Sequence, residues 1–226
     1  YWQQKVDYAI EVEIDEVNKV LSGSEKITFH NNSPHTLKYL WVQLDQNVRK
    51  KNSFTWRTKD NEITGDMEAQ SIMEITDEYF YEGGYRIKNI SQVNGSPYNY
   101  TINETMMRVD PPQPLKPGGK FVIKIKYSFN INDRLKLGGR SGYEYFEEDD
   151  NYLYTIAQFY PRMAVYNDVE GWQNKQFLGG GEFALPFGDY EVDITVPSDH
   201  LIAATGELAN ASKILPREKL NLYNKA

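Results

Sequence analysis

Val6-Asp-Tyr-Ala-Ile-Glu-Val-Glu-Ile14 sets apolar side chains at Val6, Tyr8, Ile10, Val12 and Ile14, with charged or small residues between them. A period of two marks a strand with one buried face, because successive side chains of an extended chain leave on opposite sides. A turn through Glu16–Lys19 leads into Leu21–Phe29, where Ile27 and Phe29 share a face, so a long meander opens the domain. Asn31-Asn-Ser-Pro34 is a dense turn signal that stops it. Phe121, Ile123, Ile125, Tyr127 and Phe129 repeat the alternation. Leu37–Leu44 is apolar on both parities, which predicts a strand covered on both faces.

Weaker signals fill the remainder. Arg86–Val93, Asn94-Gly95 and Tyr98–Ile102 read as a hairpin, since Asn-Gly supplies the positive φ angles of a tight turn. Met106–Val109, Leu153–Phe159, Tyr190–Val196 and a short Leu201–Ala204 add strands. Asp110–Gly119 is rich in proline, which cannot donate to a ladder, and marks a surface crossing. Residues 45–84 hold no sustained period and read as irregular. No segment before residue 210 has helical periodicity of useful length, whereas Leu215–Tyr223 can start a helix with Pro216 near its first turn. The prediction is an all-β fold, with one domain over 1–206 and a linker or helical start over 207–226.

Composition narrows the function classes. Apolar residues at 40% and charged residues at 25% are ordinary for a globular chain of 226 residues, and 17 Tyr favour strands, where rings pack on a pleated surface. A net charge of −7 and no basic cluster argue against a nucleic-acid partner. Without cysteine there is no disulfide, thiolate ligand or Cys nucleophile. No apolar run reaches the ~20 residues that span a bilayer. The chain begins at Tyr1 without Met, the start expected of a processed or engineered polypeptide. A removed signal peptide and a periplasmic or secreted location are the expectation.

Two further stretches carry a family likeness: Ile156-Ala-Gln-Phe-Tyr-Pro-Arg-Met-Ala-Val-Tyr-Asn-Asp168 and Gly179-Gly-Gly-Glu-Phe-Ala-Leu-Pro-Phe-Gly-Asp-Tyr-Glu-Val-Asp-Ile-Thr-Val196. With Ile27–Ser33, Ile87–Gly95, Met106–Pro112 and Leu115–Gly118 in the same order, they resemble the N-terminal domain of the aminopeptidase N family of zinc metallopeptidases, in its bacterial form. The resemblance implies a large saddle-shaped, mostly antiparallel, β-sandwich-like domain with twisted sheets, laid against a zinc domain. It implies a peptide substrate cleaved from its free N-terminus, and Zn2+ in the full-length enzyme. The family's H-E-x-x-H motif is absent from these residues, so no zinc is expected here, and the partner implied is the catalytic domain of the same polypeptide. The family's α-amino-binding Gln or Glu matches Gln158. An ammonium presents three donors and no acceptor, so its site needs oxygens, and the Gln158 amide supplies one. The other reading of Gln158 is a polar residue that ends a buried strand. Tyr160, Arg162 and Tyr166 lie near it in sequence, as cleft-lining or as packing residues. The family's Cys or Trp and acidic-Pro pair after the Gln are missing from Val165–Asp168, which marks a divergent subgroup.

Other constellations are bland. His30, His35 and His200 are too scattered for a zinc site. Glu147–Asn151 reads as a solvated acidic loop or an incidental calcium site, without the ligand spacing of a calcium-binding loop. Ser141 lacks a nucleophile elbow. Gly179-Gly-Gly-Glu182 follows Gln158 too closely to be the family's exopeptidase loop and reads as a tight bend against Trp172. The alternatives to an aminopeptidase domain are an inactive binding or scaffold module of the same ancestry, or a glycan-binding β-sandwich using Trp56, Trp172 and its tyrosines.

Overall fold

The computed structural model describes residues 1–58, 66–72, 81–180 and 184–225. Its contacts divide the chain into two compact units, Tyr1–Val196 and Pro197–Ala226. The strands, all in the first unit, are β1 (Lys5–Asp15), β2 (Val20–His30), β3 (Leu40–Gln43), β4 (Arg86–Ser91), β5 (Asn99–Asn103), β6 (Met106–Asp110), β7 (Lys120–Asn130), β8 (Gly142–Phe146), β9 (Asn151–Thr155), β10 (Arg162–Met163), β11 (Tyr166–Asn167), β12 (Gly171–Trp172) and β13 (Tyr190–Thr195). The fold is all-β. A five-stranded sheet runs β13-β1-β2-β7-β4, a four-stranded sheet runs β10-β3-β6-β5, and β8-β9 and β11-β12 form two-stranded ribbons. These strands all pair antiparallel except β13 on β1.

The alternating segments form the spine of the large sheet. β1 and β2 pair without a slip from Lys5↔His30 to Asp15↔Val20. The turn between them closes through Asn18 N–H donating to Asp15 Oδ1 at 2.9 Å, with Lys19 at φ 53°. β2 then pairs β7 along its whole length. One face of these strands buries Tyr8, Ile10, Ile27, Phe29, Ile123 and Phe129 in a core shared with Leu40, Val42, Met107 and Val109 of the smaller sheet. Each such aliphatic or aromatic side chain contributes about 1.5–3 kcal/mol when fully buried.

Two features of that core follow from single residues. Gly23 faces Tyr127 across the β2–β7 ladder, and a Cβ there would lie 2.3 Å from Tyr127 Cζ. Only glycine lets the ring cross the strand. Glu25 sits on the same inner face, 2% exposed, and among the described residues neither of its oxygens has a hydrogen-bond partner. Burial pushes its pKa well up, so it is held as the neutral acid.

Several expectations change. The hairpin at Asn94-Gly95 is confined to the residues next to the turn, and beyond it β4 pairs with β7 and β5 with β6, so the turn links two sheets. Gln92 N–H donates to the Ser96 carbonyl at 2.8 Å and Tyr98 N–H to the Ile90 carbonyl at 3.1 Å around the Ser91↔Pro97 bridge, and the Tyr98 ring packs on Phe121 at 4.9 Å. The strand expected over Leu37–Leu44 shortens to β3, and the one over Leu153–Phe159 ends at Thr155, in a ribbon with β8. The acidic run Glu147–Asp150 is that ribbon's exposed turn. The region read as irregular contains a 3-10 helix, Asp45–Arg49, and a short α-helix, Phe54–Thr58, while residues 59–65 and 73–80 lie outside the described set.

The second unit holds helices Ala211–Ile214 and Arg217–Tyr223, the latter capped by Pro216, whose carbonyl accepts from Leu220 N–H at 2.9 Å. No strand forms over Leu201–Ala204, where every side chain is exposed and none finds a ladder. Among the described residues no helix is long and apolar enough to cross a membrane.

Candidate functional site

After Thr155 the chain leaves β9 and turns through Ile156–Pro161 before β10 docks on β3, with Arg162 opposite Gln43 and Met163 opposite Val42. Gln158 is the pivot of this loop. Its φ is 50°, in the left-handed region, which costs a non-glycine residue roughly 1–2 kcal/mol. Its carbonyl accepts from Gln46 Nε2 at 3.1 Å and from the Tyr85 hydroxyl at 3.1 Å. Two such bonds, each worth about 0.5–1.5 kcal/mol net, are enough to offset the strain. Gln46 Nε2 also lies 3.4 Å from the Ala157 carbonyl, and Ala157 N–H donates to Ser141 Oγ at 3.1 Å.

The ends of the loop are fixed as firmly. Arg162 Nη2 lies 2.6 Å from Asp45 Oδ2, with the side chains 12% and 1% exposed. Burial raises the pKa of Asp45, and the Arg162 guanidinium only partly opposes it. Met163 N–H donates to the Tyr8 hydroxyl at 2.9 Å. Asn47 Oδ1 accepts from Tyr85 N–H at 2.9 Å. The polar turn Asp45-Gln46-Asn47 is thus buried under the Gln158 loop and Tyr85, with Asp45 ion-paired to Arg162 and Asn47 Nδ2 donating to the Glu104 carbonyl at 2.8 Å.

The Gln158 side chain stands apart from these contacts. It is half-buried, and among the described residues its amide makes no hydrogen bond. Tyr160 packs edge-on to Tyr8 at 5.4 Å, to Phe159 at 5.0 Å and to Tyr190 at 6.1 Å. Burial and the Tyr190 hydroxyl push its pKa far up, so it stays a protonated phenol. Gln158, Tyr160 and Arg162 therefore share one loop, but Arg162 spends its charge on Asp45. Tyr166 belongs to a separate aromatic group, stacked on Trp2 at 5.6 Å and bonded through its hydroxyl to His35 Nδ1 at 2.9 Å. Phe187, Tyr190 and Val192 expose apolar surface at 74%, 46% and 38%, the last two on the edge strand β13, and Tyr190 lies beside Tyr160. Trp172 packs on Tyr166 at 5.1 Å and Phe29 at 5.8 Å. A Cβ on Gly179 would meet Val48, and Gly181 and Glu182 lie outside the described residues.

Among the described residues no three of His, Cys, Asp and Glu come together, and the histidines are dispersed: His30 pairs with Asp7 at 2.9 Å, His35 with Tyr166, and His200 with Asp199 at 3.1 Å. Asp45, Gln46, Asn47 and Tyr85 were not legible as site residues. The only signal was an unbroken polar triplet directly after the apolar run Leu40–Leu44.

No family model and no curated protein matches the sequence. Among solved structures, an M1 zinc metallopeptidase from Deinococcus radiodurans matches at 15% identity and a TM-score of 0.41, over 92% of this chain and 37% of that one. A mutant of it bound to a Tyr-Ser-Ala substrate gives the same identity, score and coverage. A two-domain M1 zinc metallopeptidase mutant bound to L-tryptophan matches at 15% identity and a TM-score of 0.42, over 92% of this chain and 38% of that one. The chain spans well under half the length of the structures it matches.

Proposed function

We propose that this chain is the non-catalytic N-terminal β domain of a zinc-dependent aminopeptidase, and that Gln158 receives the α-ammonium of a peptide substrate. The observation that carries the reading is the contrast at Gln158: a backbone held in a strained conformation by two donors, and a side-chain amide left without a partner among the described residues. Strain of this kind persists where surrounding contacts impose it and is concentrated at functional sites. The family likeness of Ile156–Asp168 and Gly179–Val196 supports the same assignment.

In this reading the chain's own contribution is binding and orientation. The amide oxygen accepts one N–H of the ammonium, registering the substrate by its first residue, and Tyr160 walls the site with a ring that carries no charge at neutral pH. The exposed apolar side chains Phe187, Tyr190 and Val192 suit a packing surface for a catalytic domain. Zinc and the groups that activate water belong to residues outside this chain. Chelator-sensitive hydrolysis of aminoacyl p-nitroanilides by the complete polypeptide tests this, with the chain alone expected to hydrolyse nothing and to retain no stoichiometric zinc after chelator challenge. A complete polypeptide with no H-E-x-x-H and no hydrolysis sinks the proposal and leaves the scaffold reading.

A further inference from the structure

We propose that the buried turn Asp45–Asn47, together with Tyr85, is a clamp that aims Gln158, and that Gln46 and Tyr85 are positioning residues for recognition of the substrate amine. The inference rests on the reading of Gln158 given above. Three consecutive side chains of one 3-10 turn each hold a different part of the same device. Asp45 pairs with Arg162 at the loop's far end, Gln46 donates to the Gln158 carbonyl, and Asn47 accepts from the backbone of Tyr85, whose hydroxyl completes the pair of donors on that carbonyl. All three are at most 5% exposed.

The clamp solves a specific problem. A left-handed residue is ordinarily glycine, which adopts positive φ without a steric penalty, but glycine has no side chain to offer a ligand. Gln158 needs both the turn and the amide. Released from its two donors, its backbone would relax toward negative φ and carry the amide to a different direction. Recognition of an ammonium by one amide oxygen depends on that direction, because hydrogen bonds weaken steeply away from linearity. Tyr85 is built for this role, since its ring is locked edge-on between Tyr127 at 5.4 Å and Phe129 at 5.6 Å, and burial keeps its hydroxyl protonated and donating.

The test uses Tyr85→Phe, which keeps the ring and removes one donor, and Gln46→Ala, which removes the other. In the complete polypeptide, each should raise KM for a free-amine peptide substrate by about 2- to 10-fold, the effect of one net hydrogen bond. The turnover number should stay within about twofold, and cleavage of the N-acetylated substrate should not change, which a general loss of structure would not produce. In this chain by itself, hydrogen exchange at the Ala157 amide should accelerate by a similar factor in both variants, while exchange at Ile123 and Ile125 in the sheet centre holds. Unchanged Ala157 exchange in both variants overturns the clamp. So does an unchanged KM in both when Gln158→Ala raises it. If Gln158→Ala itself leaves KM unaltered, it is the amine-binding reading that falls, and the exchange measurement still decides the clamp.

Discussion

Glu25→Gln should make the chain more stable at neutral pH and flatten its pH dependence. The carboxyl is 2% exposed, lacks a hydrogen-bond partner among the described residues, and faces the phenols Tyr8, Tyr85, Tyr127 and Tyr160, none of which carries charge at neutral pH because burial raises each of them. Its folded pKa therefore lies above its unfolded value. For an acid with a raised folded pKa, the folded state binds the extra proton. The stability linked to that proton is fully present below the unfolded pKa and is lost as pH rises toward the folded one. Within that window the loss is about 1.4 kcal/mol per pH unit. Glutamine keeps the shape and cannot ionise. Asp45, raised in the same direction, contributes equally to both proteins and cancels in the comparison. Urea denaturation of wild type and variant at pH 5, 6 and 7 measures the difference. If the two stability curves run parallel across this range, Glu25 is not the buried acid described.

Gly23→Ala should destabilise by about 1–3 kcal/mol in the same denaturation assay, because the new Cβ overlaps the Tyr127 ring, itself packed edge-on to Tyr85. A neutral result would mean that the ring has room to move. Arg162→Met should cost about 3–5 kcal/mol by stranding the buried Asp45 carboxylate, and adding Asp45→Asn should recover much of it. Two additive losses would contradict the pairing.

The large sheet was legible because its strands obey one rule over their full length. Val6–Ile14, Leu21–Phe29 and Phe121–Phe129 each bury one parity, and the structure pairs all three side by side. Where a strand had to serve another sheet, the pattern told only part: Arg86–Val93 and Tyr98–Ile102 read as two arms of a hairpin and do bond next to the turn, yet farther along their partners are β7 and β6. No local signal states which distant edge a strand will join. At the candidate site the loop residue Gln158 was visible from its motif, but what holds it was not. Asp45, Gln46 and Asn47 are polar residues in a stretch without periodicity, and their burial arises only when the loop from more than a hundred residues later folds over them. β8, the ribbon partner of the strand expected at Leu153, was missed for a related reason: Tyr143 and Tyr145 alternate with Glu144 over too few residues to stand out beside the acidic turn.

The central claim rests on the Gln158 amide, and kcat/KM of the complete polypeptide for an aminoacyl p-nitroanilide, set against its N-acetylated counterpart, tests it most directly. Gln158→Ala should lower the value for the free amine about 10- to 150-fold, the worth of one hydrogen bond to a charged group at about 1.5–3 kcal/mol, while the acetylated substrate loses much less. Gln158→Glu should retain or strengthen binding of the amine, since a carboxylate accepts the same bond and adds opposite charge. An unchanged kcat/KM for the free-amine substrate in Gln158→Ala would contradict the account and make Gln158 a loop residue whose strain serves the fold alone.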